Sequence, residues 1–196
     1  MREDHAVVIA PARRALFVRS GALALSATAI ALLSGNDSLA QGMGGNAAQD
    51  VNILNVALGL EHEAIAAYQL GATSGLLEKA VLDTAVQFQS HHKGHRDALA
   101  STIRKLGGEP VAAKPDSEYA RALRADTLKS QADVLALATK LELGAANAYI
   151  GVIPSFKDPA LAKVAARLAA DETMHWTVLS AALGQPLPMA ALTFGA

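Results

Sequence analysis

Six side chains in this sequence have types and spacings that could hold a metal ion. Glu61 is followed seven residues later by Tyr68, and Glu142 is followed at the same interval by Tyr149. Glu172-Thr173-Met174-His175 places a carboxylate and an imidazole three residues apart, and His92-Lys93-Gly94-His95 does the same with two imidazoles. On a helix, residues three, four and seven apart lie on one face, so each of these elements points its polar groups in a single direction. The chain contains no cysteine, which excludes disulfides and thiolate ligands and leaves His and carboxylate chemistry. Such mixed sites suit iron, manganese, zinc or copper.

The elements that must carry these residues are helices. Hydrophobic residues make up 52% of the 196-residue chain while aromatics are only 4%, and Ala and Leu supply most of the rest. Both are good helix formers, and runs of strand-favouring residues are scarce, so the chain reads as all-α and as one domain. The first helix is expected over about 50–70, with Asp50 as N-cap and Gly71 and Gly75 at its end. A second is expected over about 78–106, stopped by Gly107-Gly108-Glu109-Pro110. Residues 109–126 read as a long connection with one helical turn near Tyr119. A third helix covers about 127–152, and a fourth runs from Asp158-Pro159, as N-cap and first helical residue, to Leu183.

Each helix carries an apolar stripe that is interrupted at its middle. The stripes are Leu54, Leu58, Glu61, Ile65, Tyr68; Ala85, Phe88, His92, His95, Leu99, Leu106; Leu135, Ala138, Glu142, Ala145, Tyr149, Val152; and Leu161, Leu168, Glu172, His175, Leu179. A buried carboxylate without a partner costs several kcal/mol, so four helices placing such groups at one level require compensation. Mutual pairing and a cation are the two sources. The halves also echo one another, because His95 follows Glu61 by 34 residues and His175 follows Glu142 by 33. They read as two copies of one helical hairpin, related by a pseudo-twofold axis.

This pattern resembles the ferritin-like di-metal carboxylate proteins over essentially the whole chain after its first 40 residues. The resemblance implies an antiparallel four-helix bundle of two hairpins joined by a long crossover. It also implies a metal site of Glu61, His92, His95, Glu142, Glu172 and His175, with iron or manganese, or else zinc, as the ion. Glu61 with Tyr68, Glu142 with Tyr149, and Glu172 with His175 match the family's elements. The second helix departs from them: His92 stands where the family has Glu. A rival register, Gln89-Ser90-His91-His92, would instead put an amide in that place; sharing of one stripe by Phe88, His92, His95 and Leu99 favours the first. Either way one carboxylate is missing, which leaves open two asymmetrically held ions or a single ion in a His/carboxylate cage.

The neighbours read less sharply. His91 is expected to face solvent, and His62 and Glu63 to flank the site without ligating. Tyr68 and Tyr149 are expected in the core with their hydroxyls hydrogen-bonded near the site. Trp176 is expected at the surface or against the crossover, and Arg96-Asp97 on a solvated face.

Residues 1–40 read as an export signal rather than part of the fold. Arg13-Arg14 precede an apolar run from Gly21 to Leu33, and a small-residue cut site follows at Ala40. The paired arginines resemble a twin-arginine signal, so a periplasmic or secreted location is expected, with a flexible leader over 41–49, the domain over 50–184 and a tail over 185–196. The apolar run is short for a membrane span, so none is expected after cleavage. A net charge of −1 gives no electrostatic reason to expect nucleic acid. Metal ions are the expected partners, together with an external electron donor if the site is redox-active; homodimerisation stays open. The two functional expectations are a metal-dependent oxidoreductase or metal-handling protein, and a non-catalytic structural or stress-related protein with a metal-free polar core.

Overall fold

The computed structural model describes residues 46–194; the expected export signal and most of the leader lie outside them. The described residues are helical, with no strand among them. The α-helices are α1 (Asn46–Thr73), α2 (Lys79–Lys105), α3 (Asp116–Ala122), α4 (Gln131–Val152) and α5 (Pro159–Ala182). None of them is long and apolar enough to cross a membrane.

The long helices pair as α1 with α2 and α4 with α5, each pair closed by a short link. Both hairpins feed one core. Leu54 and Leu58 of α1, Leu99 and Ile103 of α2, Tyr149 of α4, and Leu161, Ala165 and Leu168 of α5 form its main cluster. A second cluster joins Tyr68, Ala85, Phe88, Leu135 and Leu179, again from all four. The six Glu and His side chains lie on the same stripes as these two clusters, so apolar packing holds them from either side. The crossover also packs down: Tyr119 of α3 and Leu123, its C-cap, are buried with Ala66 of α1. Its start is clamped by Asn55, whose amide donates to the Glu109 carbonyl and whose Oδ1 accepts from Val111 N–H, at 2.9 and 2.8 Å.

Several boundaries differ from the sequence reading. Helix α1 begins at Asn46, so the last residues of the expected leader are helical. Asp50 is not its cap; it lies inside α1, 3% exposed, and accepts the Lys157 backbone N–H at 3.1 Å. A carboxylate at the edge of an apolar face serves here to cap the turn before α5. Gly71 also falls within α1, where a Cβ would stand 3.0 Å from Val134 Cγ1; its small size lets α4 approach. Gly75, with φ of 72°, marks the actual turn. Helix α4 begins at Gln131 rather than near 127, because Ala125–Thr127 forms a separate 3-10 turn. Ser130 caps it by accepting from Asp133 N–H at 3.2 Å, while Lys129 N–H donates to the Asp133 carboxylate. Asp158 caps α5 as expected, accepting from Ala160 N–H at 2.8 Å. In α2 the innermost apolar residue near the C-terminal end is Ile103, fully buried, while Leu106 is only half-buried.

Candidate metal centre

Glu61, His92, His95, Glu142, Glu172 and His175 meet at the middle of the core, with exposures from 0% for Glu172 to 8% for His95. They form two overlapping groups, Glu61/His92/His95/Glu172 and His92/Glu142/Glu172/His175, with ligand atoms in each all within 4.8 Å of one another. His92 and Glu172 belong to both. Gln89, the amide of the rival register, is turned away and donates to the Ile65 carbonyl and to Gln69.

In the first group, Glu61 Oε2 lies 2.8 Å from His92 Nδ1 and 3.6 Å from His95 Nδ1. Glu172 Oε1 lies 3.2 Å from His95 Nδ1 and 3.8 Å from His92 Nδ1. In the second, His175 Nδ1 lies 3.4 Å from both Glu142 Oε2 and Glu172 Oε2, and His92 Nε2 lies 3.2 Å from Glu142 Oε1. A tetrahedral ion with bonds near 2.0 Å sets its ligand atoms about 3.3 Å apart, so both groups have the dimensions of a cation cage. The hydrogen-bond pattern agrees. His95 Nδ1, Glu142 Oε2, both oxygens of Glu172 and His175 Nδ1 are buried without a hydrogen-bond partner. Buried polar atoms are normally satisfied, and five orphans converging on one place are what a cation would satisfy.

The two tyrosines cross between hairpins. Tyr68 of α1 donates to Glu142 of α4, and Tyr149 of α4 donates to Glu61 of α1. Burial, and then the charge of the glutamate each one touches, raise both hydroxyls well above their usual range. They therefore stay protonated and act as fixed donors.

Two further residues were not singled out as participants from sequence. Asp171 Oδ2 lies 3.1 Å from His95 Nε2, and His91 Nδ1 lies 2.9 Å from His175 Nε2. His91 is thus half-buried rather than solvent-facing, and its ring stacks on that of His175. Burial, followed by the neighbouring imidazoles, lowers its pKa, which favours the neutral ring, able to accept at Nδ1. The consequence is common to both candidate ligand rings. With Nε2–H donated to Asp171 or His91, the lone pair that deprotonation frees on His95 and on His175 would be on Nδ1, facing the cage. Replacing Asp171 by Ala is expected to weaken metal binding 10–100-fold, the usual cost of losing such an orienting partner, measured by competition with a chelator.

Before any cation enters, the cluster carries its own charge balance. Burial pushes the His92 imidazolium down, but hydrogen bonds to Glu142 and Glu61 and the charge of Glu172 raise its pKa to about 11. His95 rises to about 10, with Glu172 and Glu61 overcoming the same burial penalty. Burial likewise opposes the ionisation of Glu142, yet its close contacts with His175 and His92 hold its carboxyl below the usual range. Glu172 goes the other way, because burial outweighs its contacts with His175 and His95.

The remaining neighbours lie outside the cage. His62 Nε2 is 3.1 Å from the Val111 carbonyl, and Arg96 pairs with Asp97 at the surface at 2.8 Å. Trp176 packs on Phe194 of the C-terminal tail, ring centroids 4.9 Å apart, rather than on the crossover. An apolar cavity of about 250 Å³ reaches the cluster at Tyr68, His92 and Glu142. Ala64, Ala67, Ala138 and Ala145 are among its walls, where their small side chains leave open space.

Fold and site together define an all-helical protein whose buried Glu/His cluster is compatible with a metal site. The chain belongs to the ferritin-like domain family, whose profile matches residues 49–185. It is similar in fold to a conserved hypothetical protein from Mycobacterium tuberculosis, known from its crystal structure. The two share 22% identity at a TM-score of 0.59, over 73% of this chain and 96% of that one. No curated protein matches it.

Proposed function

We propose that this is an exported ferritin-like protein that binds iron or manganese in the core of an antiparallel four-helix bundle, with a redox or metal-handling role. The observation that carries this reading is the convergence of five unpartnered buried ligand atoms from His95, Glu142, Glu172 and His175. Without a metal those atoms have only one another, at 3.2–3.4 Å and without a hydrogen bond. The hairpin pairing of α1 with α2 and α4 with α5 supports the bundle, and Arg13-Arg14 before the apolar run supports export to a periplasmic or extracellular space.

Bound iron or manganese would supply electron transfer to oxygen or peroxide. The chain's part is to hold the ligands, exclude bulk water and admit the small reactant. The six side chains would hold the ion or ions, Tyr68 and Tyr149 keep Glu142 and Glu61 oriented, and the apolar cavity offers a dry approach for a small apolar molecule. Electrons would come from an external donor, since the chain has no cysteine to build a rubredoxin-like centre. Filling the cavity with Ala138→Phe is expected to slow oxidation of bound Fe(II) by oxygen about tenfold or more while leaving metal stoichiometry unchanged; stopped-flow absorbance measures the first and elemental analysis the second.

The deciding experiment is metal analysis of protein isolated without added metal, beside Glu142→Ala and His175→Ala. Near-stoichiometric iron, manganese or zinc that both substitutions abolish supports the reading. Wild-type protein that arrives without metal and takes up none on anaerobic Fe(II) titration overturns it. That outcome would favour the second reading, a non-catalytic polar core, for which the ion pairs of His92 with Glu61 and Glu142 are the supporting observation.

A further inference from the structure

The position of His92 deepens that reading and rests on it. We propose that the His92 ring bridges two metal ions, Nδ1 on one and Nε2 on the other, so that the centre is an imidazolate-linked pair.

Three observations converge on this. First, His92 is the one imidazole of the cluster with both nitrogens turned to carboxylates of the two ligand groups: Nδ1 is 2.8 Å from Glu61 Oε2 and Nε2 is 3.2 Å from Glu142 Oε1. His95 and His175 instead give one nitrogen to the cage and the other to Asp171 and His91. Second, the two ligand groups share only His92 and Glu172, and each shared residue presents a different atom to each group. His92 Nδ1 and Glu172 Oε1 face Glu61 and His95; His92 Nε2 and Glu172 Oε2 face Glu142 and His175. Each ion then has four protein ligands, one from each residue of its group.

Third, the charges close. Glu61, Glu142 and Glu172 carry three negative charges against four positive ones on two divalent ions. Each ion displaces one N–H proton of the His92 imidazolium to solvent, leaving the ring an anion, which brings the total to zero. Net charge in a core this dry is costly, so neutrality favours the bridge. The ring also holds the ions apart, at about 6 Å given metal–nitrogen bonds near 2.0 Å. Paired-metal sites ordinarily hold their ions at roughly 3.5–4 Å, and repulsion falls in inverse proportion to separation. Three carboxylates therefore suffice where a tighter pair would need more.

Crystals of the full chain grown with Cu(II) and measured at the copper absorption edge test the geometry. Two anomalous peaks about 6 Å apart with the His92 ring between them are expected. A single peak, or a pair closer than about 4 Å with His92 to one side, overturns the bridge while leaving a metal site; no peak in the core overturns the metal reading itself. In solution, the second equivalent of Cu(II) should remove the electron paramagnetic resonance signal gained with the first, because the ring couples the two spins. The coupling should vanish in His92→Gln. A wild-type signal that keeps growing to two equivalents, or coupling that survives in His92→Gln and so runs through Glu172, refutes the bridge. If the variant does not fold, the wild-type crystal result decides alone.

Discussion

Glu172→Gln is expected to strip the centre of metal while leaving the metal-free fold as stable as before, or more so. Glu172 belongs to both ligand groups, is fully buried, and has neither oxygen hydrogen-bonded. An amide of the same shape offers no anionic donor to either group. Apparent affinity should drop at least a hundredfold, about 3 kcal/mol, as read by elemental analysis after dialysis against a weak chelator. The metal-free protein gives the opposite sign. There, burial raises the Glu172 pKa despite its contacts with His175 and His95, so the carboxylate is a net burden that the neutral amide removes. The metal-free variant should melt no lower than metal-free wild type. A variant that keeps its metal, or that melts many degrees lower when both are metal-free, contradicts this account.

The second large effect is the pH dependence of the metal-free protein. In the folded state the imidazolium pKa is about 11 for His92 and about 10 for His95, against 6.5 for an unperturbed ring. Both folded values are raised, so the folded state holds protons that the unfolded chain releases. The stabilisation is fully present below about pH 6.5 and is lost as pH rises through about 10 to 11, with a slope of roughly 1.4 kcal/mol per pH unit for each ring. His175, raised by Glu142 and Glu172 against its burial, adds in the same direction. Urea titrations of chelator-treated protein between pH 6 and 10 should therefore show a loss of several kcal/mol. Metal-loaded protein should show the reverse over the lower half of that range, because the ion needs these rings deprotonated. Parallel curves for the two forms would mean that the ion does not sit on these imidazoles.

Much of this was legible in the sequence because the fold is helical and the site is built from stripes. Glu61, Glu142, Glu172 and His175 each interrupt an apolar face at helical spacing, and a periodic pattern exposes an interruption directly. What stayed hidden lies off the stripes. His91 sits one residue, or about 100°, from His92, and Asp171 the same angle from Glu172; whether such a flank meets solvent or a neighbouring helix depends on how the helices pack side by side, which periodicity does not report. Asp50 misled for a related reason. Its residue type marks helix starts, but its partner, the Lys157 backbone, is 107 residues away in sequence. The cavity was illegible too, since alanine reads the same whether a neighbour fills the space beside it or leaves it open.

The distribution of ligands between the hairpins bears on when an ion can be acquired. The first group takes Glu61, His92 and His95 from one hairpin and Glu172 from the other; the second takes His92 from one and Glu142, Glu172 and His175 from the other. The crossed Tyr68–Glu142 and Tyr149–Glu61 bonds span the same seam. Neither hairpin owns a complete cage. An ion would be captured only after the two have docked, so metal loading would follow folding rather than guide it.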